Sequence, residues 1–224
     1  MQTFQQTQTS SQPLLQALLL KRLYLLQSCG FEYCNPQFLA PMQKGFQSPN
    51  SQNLKSLIES CKLCAQKSSL ASAGLCNQNS QLVFLSLLPI LDSQMRFASK
   101  GAQMLKNIIE RVFGLNVQNV SILSLLKCEI PQAAQKNCVE SCMGYFLKQI
   151  EFAQSKVIVL LGAEAYFYLT QDGSCYENVQ GKILEWNHLK LFPTFNLNQL
   201  LRKPELKIQA HKEFLTLKES LFKD

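Results

Sequence analysis

Three short, continuous apolar segments constrain the fold of this chain more than any other feature. They lie at residues 81–88, 117–126 and 156–162, and each is followed by a stretch with helical character. Continuous apolar runs of this length are typical of strands buried on both faces of a parallel sheet. A weaker pair of strands is predicted between residues 182 and 192, before a last helix that begins near Pro204. This alternation predicts an α/β fold, a three-layer α/β/α arrangement around a central, mostly parallel sheet.

The predicted sheet also indicates where a ligand would bind. In open α/β sheets, ligands bind beyond the carboxyl ends of the strands. In this chain those ends are predicted near residues 85–89, 126–128, 162 and 192–196. We therefore expect the functional side chains to come from these four stretches.

The composition along the chain predicts three parts. Residues 1–12 are mostly Gln, Thr and Ser, and we expect a disordered tail. Residues 13–52 predict a helical extension that begins at Pro13, followed by a linker rich in Asn, Pro, Gln, Ser and Gly. Residues 53–224 predict the main domain, which is large enough to bury a full core.

Charge and cysteine content suggest the cellular setting and the class of partner. The chain has 22 Lys and Arg against 15 Asp and Glu, a net charge of +7, which favours a polyanion such as DNA. No signal-peptide pattern opens the sequence, and the apolar run at residues 14–20 is too short to span a bilayer. We therefore expect a cytoplasmic monomer that does not bind membranes. In a reducing compartment, nine cysteines favour metal ligation over disulfides.

Four of the cysteines have spacings typical of metal ligands. Cys61 and Cys64 form a C-x₂-C pair, Cys128 lies in a Lys-Cys-x-x-Pro corner after a predicted strand, and Cys142 opens a predicted helix. One close pair and one looser pair predict the ligand set of a single metal centre. Cys138 is a rival to Cys142 as the fourth ligand. Four cysteines alone suit zinc as well as an iron–sulfur cluster.

Several other motifs accompany the cysteines in a characteristic order. They are Phe97 with residues 101–105, the pair Lys127-Cys128, the helix ending Gln149-Ile150, and the strand ending Leu161-Gly162 within residues 157–165. With the C-x₂-C pair, these motifs resemble the family 4 uracil-DNA glycosylases, the iron–sulfur branch of that superfamily, over residues 54–221. Pro131 lies one place later than the proline of the family, and residues 192–195 and 200–204 flank the place of its His-Pro motif.

The resemblance implies a uracil-DNA glycosylase-like fold and a cofactor. It implies that Cys61, Cys64, Cys128 and Cys142 hold a [4Fe–4S] cluster, with zinc as the alternative. The register of Gln149-Ile150 favours Cys142 over Cys138. The cluster would be structural, and the other cysteines would be ordinary thiols.

The resemblance also places the chemistry, and here the sequence departs from the family. Uracil excision needs a polar or acidic group that organises water at the sugar, an amide that reads the pyrimidine edge, and a donor that stabilises the departing uracil anion. The positions that match the acid, the amide and the donor are Leu87, Ser124 and Asn196. Phe97, which stacks on the base in the family, is retained. Asp92 is the one acid left in its loop, and we expect it to be solvated.

Other positions would contact DNA if the resemblance extends to binding. Lys100, Arg202 and Lys203 fall in loops that line the DNA groove in the family. Leu200 and Leu201 would form the wedge that enters the base stack, or would pack against the last helix. His188 and His211, the only histidines, are not in places that suggest a replacement donor.

Three hypotheses for the function follow. The first is a degenerate protein of the superfamily that keeps the fold, the cluster and binding to single-stranded or damaged duplex DNA but has lost ordinary uracil excision. The second is an active glycosylase that acts on uracil or another damaged base with altered residues. The third is a structural, partner-binding module in a repair or replication assembly.

Overall fold

The computed structural model describes residues 51–64 and 67–222, which lie in the compact unit Pro49–Asp224. The predicted tail at residues 1–12 and nearly all of the predicted extension at 13–52 lie outside the described residues. None of the helices in the described part is long and apolar enough to cross a membrane.

A five-stranded sheet forms the centre of the domain. Its strands are β1 (Leu82–Ser86), β2 (Val120–Ser124), β3 (Val157–Leu161), β4 (Leu184–Trp186) and β5 (Leu189–Thr194). They are arranged in the order β2-β1-β3-β5-β4, and all neighbours are parallel except the antiparallel pair β4 and β5. The predicted fold class, a three-layer α/β fold with a mostly parallel sheet, is confirmed.

Within the described residues, seven α-helices accompany the sheet. They are α1 (Ser51–Glu59), α2 (Lys100–Asn107), α3 (Gln135–Ala153), α4 (Ala163–Thr170), α5 (Tyr176–Val179), α6 (Leu197–Arg202) and α7 (Leu206–Phe222). A π-helical turn, Ile108–Phe113, extends α2 and ends at Gly114 in the left-handed region, with φ +70°. Two 3₁₀ turns, Val117–Asn119 and Gln132–Ala134, precede β2 and α3.

The two faces of the sheet carry separate hydrophobic clusters. Every residue of β1, β2 and β3 is buried, as the continuous apolar runs predicted. Because side chains alternate along a strand, Phe84 and Val159 point to one face and Val83 and Ile158 to the other. Helices α2, α6 and α7 cover the first face, and α3 and α4 cover the second. This alternation gives the three layers.

The structure differs from the prediction at one helix that matters for the site. A helix was predicted to open near Cys142, but α3 begins at Gln135, so Cys142 lies well inside it. Pro131 leads into the 3₁₀ turn, and the segment that follows contains good helix formers such as Ala and Gln, so the helix starts earlier. Cys138 and Cys142 therefore lie four residues apart on one buried helical face.

Candidate functional site

A cleft among the described residues lies where the strand order of the sheet reverses. From the carboxyl end of β1 the chain continues to β2 on one side, and from the carboxyl end of β3 it continues towards β5 on the other side. A cleft of about 490 Å³ opens at this point. Its lining comes from the end of β1, the start of α2, the turn before α3, the end of β3 and the start of α6: Ser86, Leu87, Leu88, Pro89, Ile90, Ser99, Gly101, Ala102, Gln132, Gln135, Leu161, Glu164, Asn196, Leu197 and Asn198. The topology thus places the cleft where α/β folds bind ligands.

The β1 side of the cleft is apolar where the family resemblance implied an acid. Leu87 follows β1 directly, lines the cleft and is only 6% exposed. The backbone continues its pairing with the neighbouring segment, because Leu126 N–H donates to Leu87 O at 2.9 Å. The one polar side chain nearby, Ser86, donates its hydroxyl to Leu88 O at 2.6 Å. The end of β1 therefore provides no carboxylate to the cleft.

Asn196 lies on the opposite wall and caps α6. Its Oδ1 accepts from Asn198 N–H at 2.9 Å, and its own N–H donates to Gln199 Oε1 at 3.1 Å. This reciprocal pair is a capping box, which fixes the side chain at the helix start. Since the carbonyl oxygen is used by the cap, the Nδ2 amide is the group that Asn196 can offer to a ligand as a hydrogen-bond donor.

Gly162 lets the end of β3 approach Asn196. A Cβ at residue 162 would lie 2.9 Å from Asn196 Cβ and 3.1 Å from Asn196 Nδ2. The φ of Gly162 is +105°, a conformation that other residues rarely adopt. Gly162 N–H also donates to Thr194 O at 2.9 Å, which ties the ends of β3 and β5 together. The glycine is therefore required both by its backbone and by the close side chain.

Glu164 is a cleft residue that the sequence analysis missed. It lies in the first turn of α4, two residues after Gly162, and its side chain is exposed. Among the described residues that line the cleft, it is the only carboxylate. It also lines an adjoining cavity of about 340 Å³ with Asn196 and Arg202. An acid directly after the predicted end of β3 was the signal in the sequence that could have identified it.

Amides and hydroxyls make up the other polar groups of the cleft. Ser99 caps α2, and its Oγ accepts from Ala102 N–H at 3.0 Å. Gln132 and Gln135 come from the turn that follows the Lys-Cys corner, and Gln135 Nε2 donates to Ile130 O at 3.3 Å. These residues carried no sequence motif. Only the fold brings them to the ends of β1 and β3.

Two predicted base-binding residues do not line this cleft. Ser124 ends β2 and is 3% exposed, and its carbonyl accepts a hydrogen bond from Lys127 Nζ. Phe97 packs against the hydrophobic cluster on the α2 side of the sheet, with Lys106 Nζ 6.0 Å from its ring centroid. The sequence departs from the family at three positions. Leu87 and Asn196 both line the cleft, whereas Ser124 is buried at the end of β2 and does not line it.

The remaining acid and the histidines lie elsewhere. Asp92 closes its own loop, since its carboxylate accepts from the backbone N–H groups of Gln94 and Arg96 and from Arg96 Nε. The hydrogen bond from the Arg96 backbone is the main reason why the pKa of Asp92 is lowered. His188 lies in the turn between β4 and β5 with φ +65°, and His211 lies on α7. None of the three lines the cleft.

The residues predicted to contact DNA divide between two surfaces. Arg202 is exposed and lines the cavity beside Glu164 and Asn196. Lys100, Leu200 and Leu201 line a separate groove of about 480 Å³ between α2 and α7, which also includes His211. Leu200 is 2% exposed and belongs to the core, whereas Leu201 is half-buried. Lys203 is exposed at the end of α6.

The four predicted metal ligands are brought to one corner of the domain by three segments. Cys61 follows α1, whose Leu54 and Ile58 pack against Ala71 and Ala73. The chain after Cys64 then runs beside the end of β2, with three backbone bonds that tie it down: Ser68 N–H to Glu129 O, Ser72 N–H to Lys127 O, and Leu75 N–H to Ile122 O. Helix α3 supplies Cys138 and Cys142.

The thiols influence one another, which shows that they are neighbours. Burial raises the pKa of Cys128 to about 11, and the charges of Cys142, Cys64 and Cys61 add to the effect. Burial likewise raises the pKa of Cys64, and Cys138 lies within hydrogen-bonding reach of it. Burial also raises the pKa of Cys142, against the effect of a hydrogen bond from the Lys127 backbone N–H. Ligation would therefore have to displace protons from these thiols.

The donor set consists of thiols, which serve as ligands both in iron–sulfur clusters and at zinc sites. Four thiols converge from three segments, and thiolates are the usual ligands of iron–sulfur clusters. Within residues 51–64 and 67–222, no group of three or more His, Cys, Asp or Glu side chains is arranged to hold one metal ion. In a [4Fe–4S] cluster each thiolate binds a different iron, so the sulfurs lie farther apart than around one ion. The chemistry and convergence of the thiols fit such a group.

Lys127 fills the space between the cysteines and the end of β2. Its side chain is 1% exposed, and its Nζ donates to Ser124 O and, at 2.6 Å, to Gln149 Oε1. Gln149 in turn donates Nε2 to Ala73 O at 2.6 Å. Burial lowers the pKa of Lys127 to about 8, although the nearby Cys142 and Cys76 oppose the shift. The predicted Lys-Cys corner is thus built around a buried amine.

Comparison with known proteins identifies relatives of this chain. Residues 73–217 match the model of the uracil DNA glycosylase superfamily. A type-4 uracil-DNA glycosylase from Saccharolobus solfataricus is 24% identical over 177 residues, which cover 73% of this chain and 81% of the relative. One from Archaeoglobus fulgidus is 25% identical over 72% of this chain and 88% of the relative. One from Thermotoga maritima is 30% identical over 47% of this chain and 57% of the relative.

These matches confirm the family resemblance seen in the sequence motifs. The matched region contains β1 to β5, the cleft, Cys128 and Cys142. It covers more than half of the chain, and the sheet, the site at the strand ends and the sequence similarity agree with one another. The chain therefore belongs to the uracil DNA glycosylase superfamily.

Proposed function

We propose that this protein is a DNA-binding, iron–sulfur member of the superfamily that has lost ordinary uracil excision. DNA, single-stranded or damaged duplex, would present a flipped nucleotide to the cleft. The observation that carries this proposal is Leu87, a buried apolar side chain at the end of β1 where the family resemblance implied an acid. The monomeric state and the cytoplasmic location stay predictions from the sequence.

Loss of the acid removes a group that acts on the sugar. Cleavage of the glycosidic bond leaves positive charge on the sugar and requires a placed water molecule. A carboxylate beside the sugar serves both needs, because it attracts positive charge and accepts a proton from water. Leu87 can do neither, and Asp92 is held in its own loop by Arg96.

Stabilisation of the leaving group is also weaker in this cleft. Asn196 can donate its Nδ2 amide to a base oxygen, but its orientation is set by the cap of α6. A neutral amide stabilises a departing anion less than a well-placed imidazole donor does. Ser124 occupies the position where the resemblance implies an amide that reads the base, but it is buried and does not line the cleft. We expect the cleft to hold a base more readily than to expel one.

The charge of the chain supports binding to DNA. The net charge is +7, and Arg202 and Lys203 are exposed at the end of α6, beside the cavity that adjoins the cleft. Cations placed at the rim of a base pocket contact phosphates and fix the register of the strand without reading its sequence. The logarithm of the affinity should therefore fall linearly with the logarithm of the salt concentration.

The cluster would act as a structural clip. Cys61, Cys64, Cys128 and Cys142 would hold it, and it would join α1 and the segment after it to the end of β2 and to α3. Zinc at the same cysteines remains the alternative. Anaerobic purification distinguishes them: a cluster gives a brown protein with broad absorption near ~400 nm. A colourless protein with stoichiometric zinc would replace the cluster in this proposal.

The test of the proposed function is an assay on single-stranded DNA that contains one uracil. We expect salt-dependent binding and excision far slower than that of the Saccharolobus solfataricus enzyme under the same conditions. The double variant Asn196→His with Ser124→Asn should gain excision if the scaffold is still competent. Wild-type excision near the rate of that enzyme contradicts the proposal, and the absence of salt-dependent binding favours a partner-binding module instead.

A second candidate function is supported by Glu164. Its exposed carboxylate lies on α4 and lines the cleft together with Asn196, so that one ligand could contact both side chains. A base flipped into the cleft would have this acid on the β3 side rather than the β1 side. The second candidate is therefore an active glycosylase that cleaves the bond to another damaged base, with Glu164 as the group that organises water.

A panel of DNA strands with different damaged bases tests the second candidate. If Glu164 organises water, Glu164→Gln should lower the rate of excision about 100-fold or more, within the usual range for general bases, while binding is retained. Asn196→Ala should also abolish excision. Asp172→Asn is the matched control, since this carboxylate pairs with Tyr166 and Ser174 away from the cleft. No excision from any strand of the panel rejects this candidate.

A further inference from the structure

Lys127 is the one fully buried cation among the described residues. The other buried polar side chains of residues 51–64 and 67–222 are serines, glutamines and a threonine. A lysine amine with 1% exposure loses nearly all of its contact with water. Burial of an ammonium group is unfavourable unless a negative charge compensates it.

The hydrogen bonds of Lys127 do not supply that charge. Nζ donates to Ser124 O and to Gln149 Oε1, and both acceptors are neutral. The four ion pairs found in the described part of the chain are all between residues three or four apart and do not include Lys127. No described carboxylate compensates the buried amine.

Two of the predicted metal ligands are neighbours of Lys127. Lys127 directly precedes Cys128, and its backbone N–H donates toward Cys142. Gln149, which accepts from Lys127 Nζ at 2.6 Å, lies on α3 together with Cys142. An iron–sulfur cluster with four thiolates carries net negative charge, because the four ligands and the sulfides outweigh the irons.

We infer that Lys127 is the internal counter-charge of the metal centre held by Cys61, Cys64, Cys128 and Cys142. This inference rests on the proposed iron–sulfur cluster. The positive charge of Lys127 stabilises the anionic cluster across a region without water, where charges interact strongly. The cluster in turn compensates the charge that Lys127 buries. Lys127 thus balances the charge of the metal centre. It does not line the cleft and has no contact with a substrate there.

The test compares Lys127→Gln with Lys67→Gln in the full chain purified with its cluster. Glutamine at residue 127 can still donate to Ser124 O but carries no charge. Lys67 is the matched control, because it is exposed, donates Nζ to Cys61 O at 2.8 Å and acts electrostatically on Cys128. Solvent screens its charge, so its loss should matter little.

We expect three results for Lys127→Gln. The reduction potential of the cluster becomes more negative, since an added electron is no longer attracted by the buried charge. A chelator removes iron about 10-fold faster, because substitution of residues that support metal ligands typically weakens metal binding by at least that factor. The midpoint of thermal unfolding falls more in the cluster-loaded protein than in the cluster-free protein. Lys67→Gln changes none of these by a comparable amount.

Other outcomes overturn the inference. A purely structural lysine would lower the stability of loaded and cluster-free protein equally and leave the potential unchanged. If Lys127→Gln does not fold, Lys127→Arg keeps the charge, and its potential must match that of the wild type. A cluster that is present but insensitive to both substitutions removes this inference alone. Wild-type protein purified anaerobically without iron removes the proposed cluster as well.

Discussion

The cysteine corner and the cleft lie at neighbouring strand ends but differ in how their groups are held. The cysteine corner brings together Cys61, Cys64, Cys128 and Cys142, the predicted metal ligands, and Lys127 is buried directly before one of them. The cleft at the ends of β1 and β3 has amides, hydroxyls and one exposed carboxylate, and an apolar side chain where an acid was implied. The corner thus offers one kind of donor, the thiol, whereas the cleft combines neutral polar groups and one carboxylate with an apolar wall.

The difference shows that the two regions can change independently within one fold. The corner depends on packing, since α1, the segment after Cys64 and α3 must meet the end of β2. The cleft depends on single side chains at strand ends, and a change there leaves the sheet intact. We therefore expect such a scaffold to keep the proposed metal centre while the positions that line the cleft diverge. The following variants test that independence.

The largest effect is expected from removal of a cluster ligand. Cys128→Ser should weaken retention of iron by at least about 100-fold, because even residues outside the ligand set contribute 10–100-fold. It should also lower the midpoint of unfolding, since the clip between three segments is lost. Iron content and thermal unfolding measure this. Cys175→Ser is the control, because Cys175 is exposed and contacts Glu177 instead. Full iron content in Cys128→Ser would show that the corner is not the metal centre.

A second pair of variants decides which cysteine of α3 is the fourth ligand. Cys138 is 8% exposed and Cys142 is 2% exposed, and both lie near Cys64. The register of Gln149-Ile150 favours Cys142. Cys142→Ser should therefore lose most of the iron, and Cys138→Ser should keep it, as measured by iron per chain and absorbance. The reverse result would assign the ligand to Cys138.

Gly162→Ala should damage the cleft and leave the cysteine corner unchanged. A Cβ would lie 2.9 Å from Asn196 Cβ, and the backbone would be held at φ +105°. We expect a loss of about 1–3 kcal/mol in stability, together with weaker binding of single-stranded DNA. Chemical denaturation and a binding titration measure the two effects. Gly144→Ala, at an open position on α3, is the control and should be neutral or slightly stabilising. A Gly162→Ala protein with less iron would contradict independence.

The smallest effect is expected at the rim of the adjoining cavity. Arg202→Ala should weaken binding of single-stranded DNA and reduce the slope of log affinity against log salt by about 1, as for one phosphate contact. Lys156→Ala is the control, since Lys156 is exposed just before β3, at the amino ends of the strands and away from the cleft at their carboxyl ends. Binding curves at several salt concentrations measure both. Equal slopes for the wild type and Arg202→Ala would place the DNA elsewhere.

Much of the fold could be predicted from short-range patterns. Continuous apolar runs identified β1, β2 and β3, because a strand buried on both faces needs apolar residues at every position. Turn and helix signals were less informative. The start of α3 was predicted near Cys142 but lies at Gln135, and the short helices α5 and α6 were not predicted, since their ends depend on caps and neighbours rather than on periodicity.

The candidate site could be predicted only in part. Leu87 and Asn196 were identified through the family motifs and do line the cleft. Gln132 and Gln135 were missed because they belong to no motif and reach the cleft only through the turn before α3 and the start of that helix. Glu164 was missed because nothing in the motif at residues 157–165 singles it out, and only the position of α4 brings it to the cleft. Ser124 and Phe97 were placed at the site by resemblance, yet one is buried behind the wall and the other packs against the core.

The sequence by itself determined the kind of sheet, the cysteine set and the superfamily, because apolar runs and C-x₂-C spacing are local patterns. The tertiary structure decided which residues share a site. The order β2-β1-β3-β5-β4 places Glu164 and Asn196 in one cleft, although they lie 32 positions apart in the chain. It also buries Lys127 beside the cysteines without a carboxylate. Such contacts join distant segments, and packing of the whole domain is what brings them together.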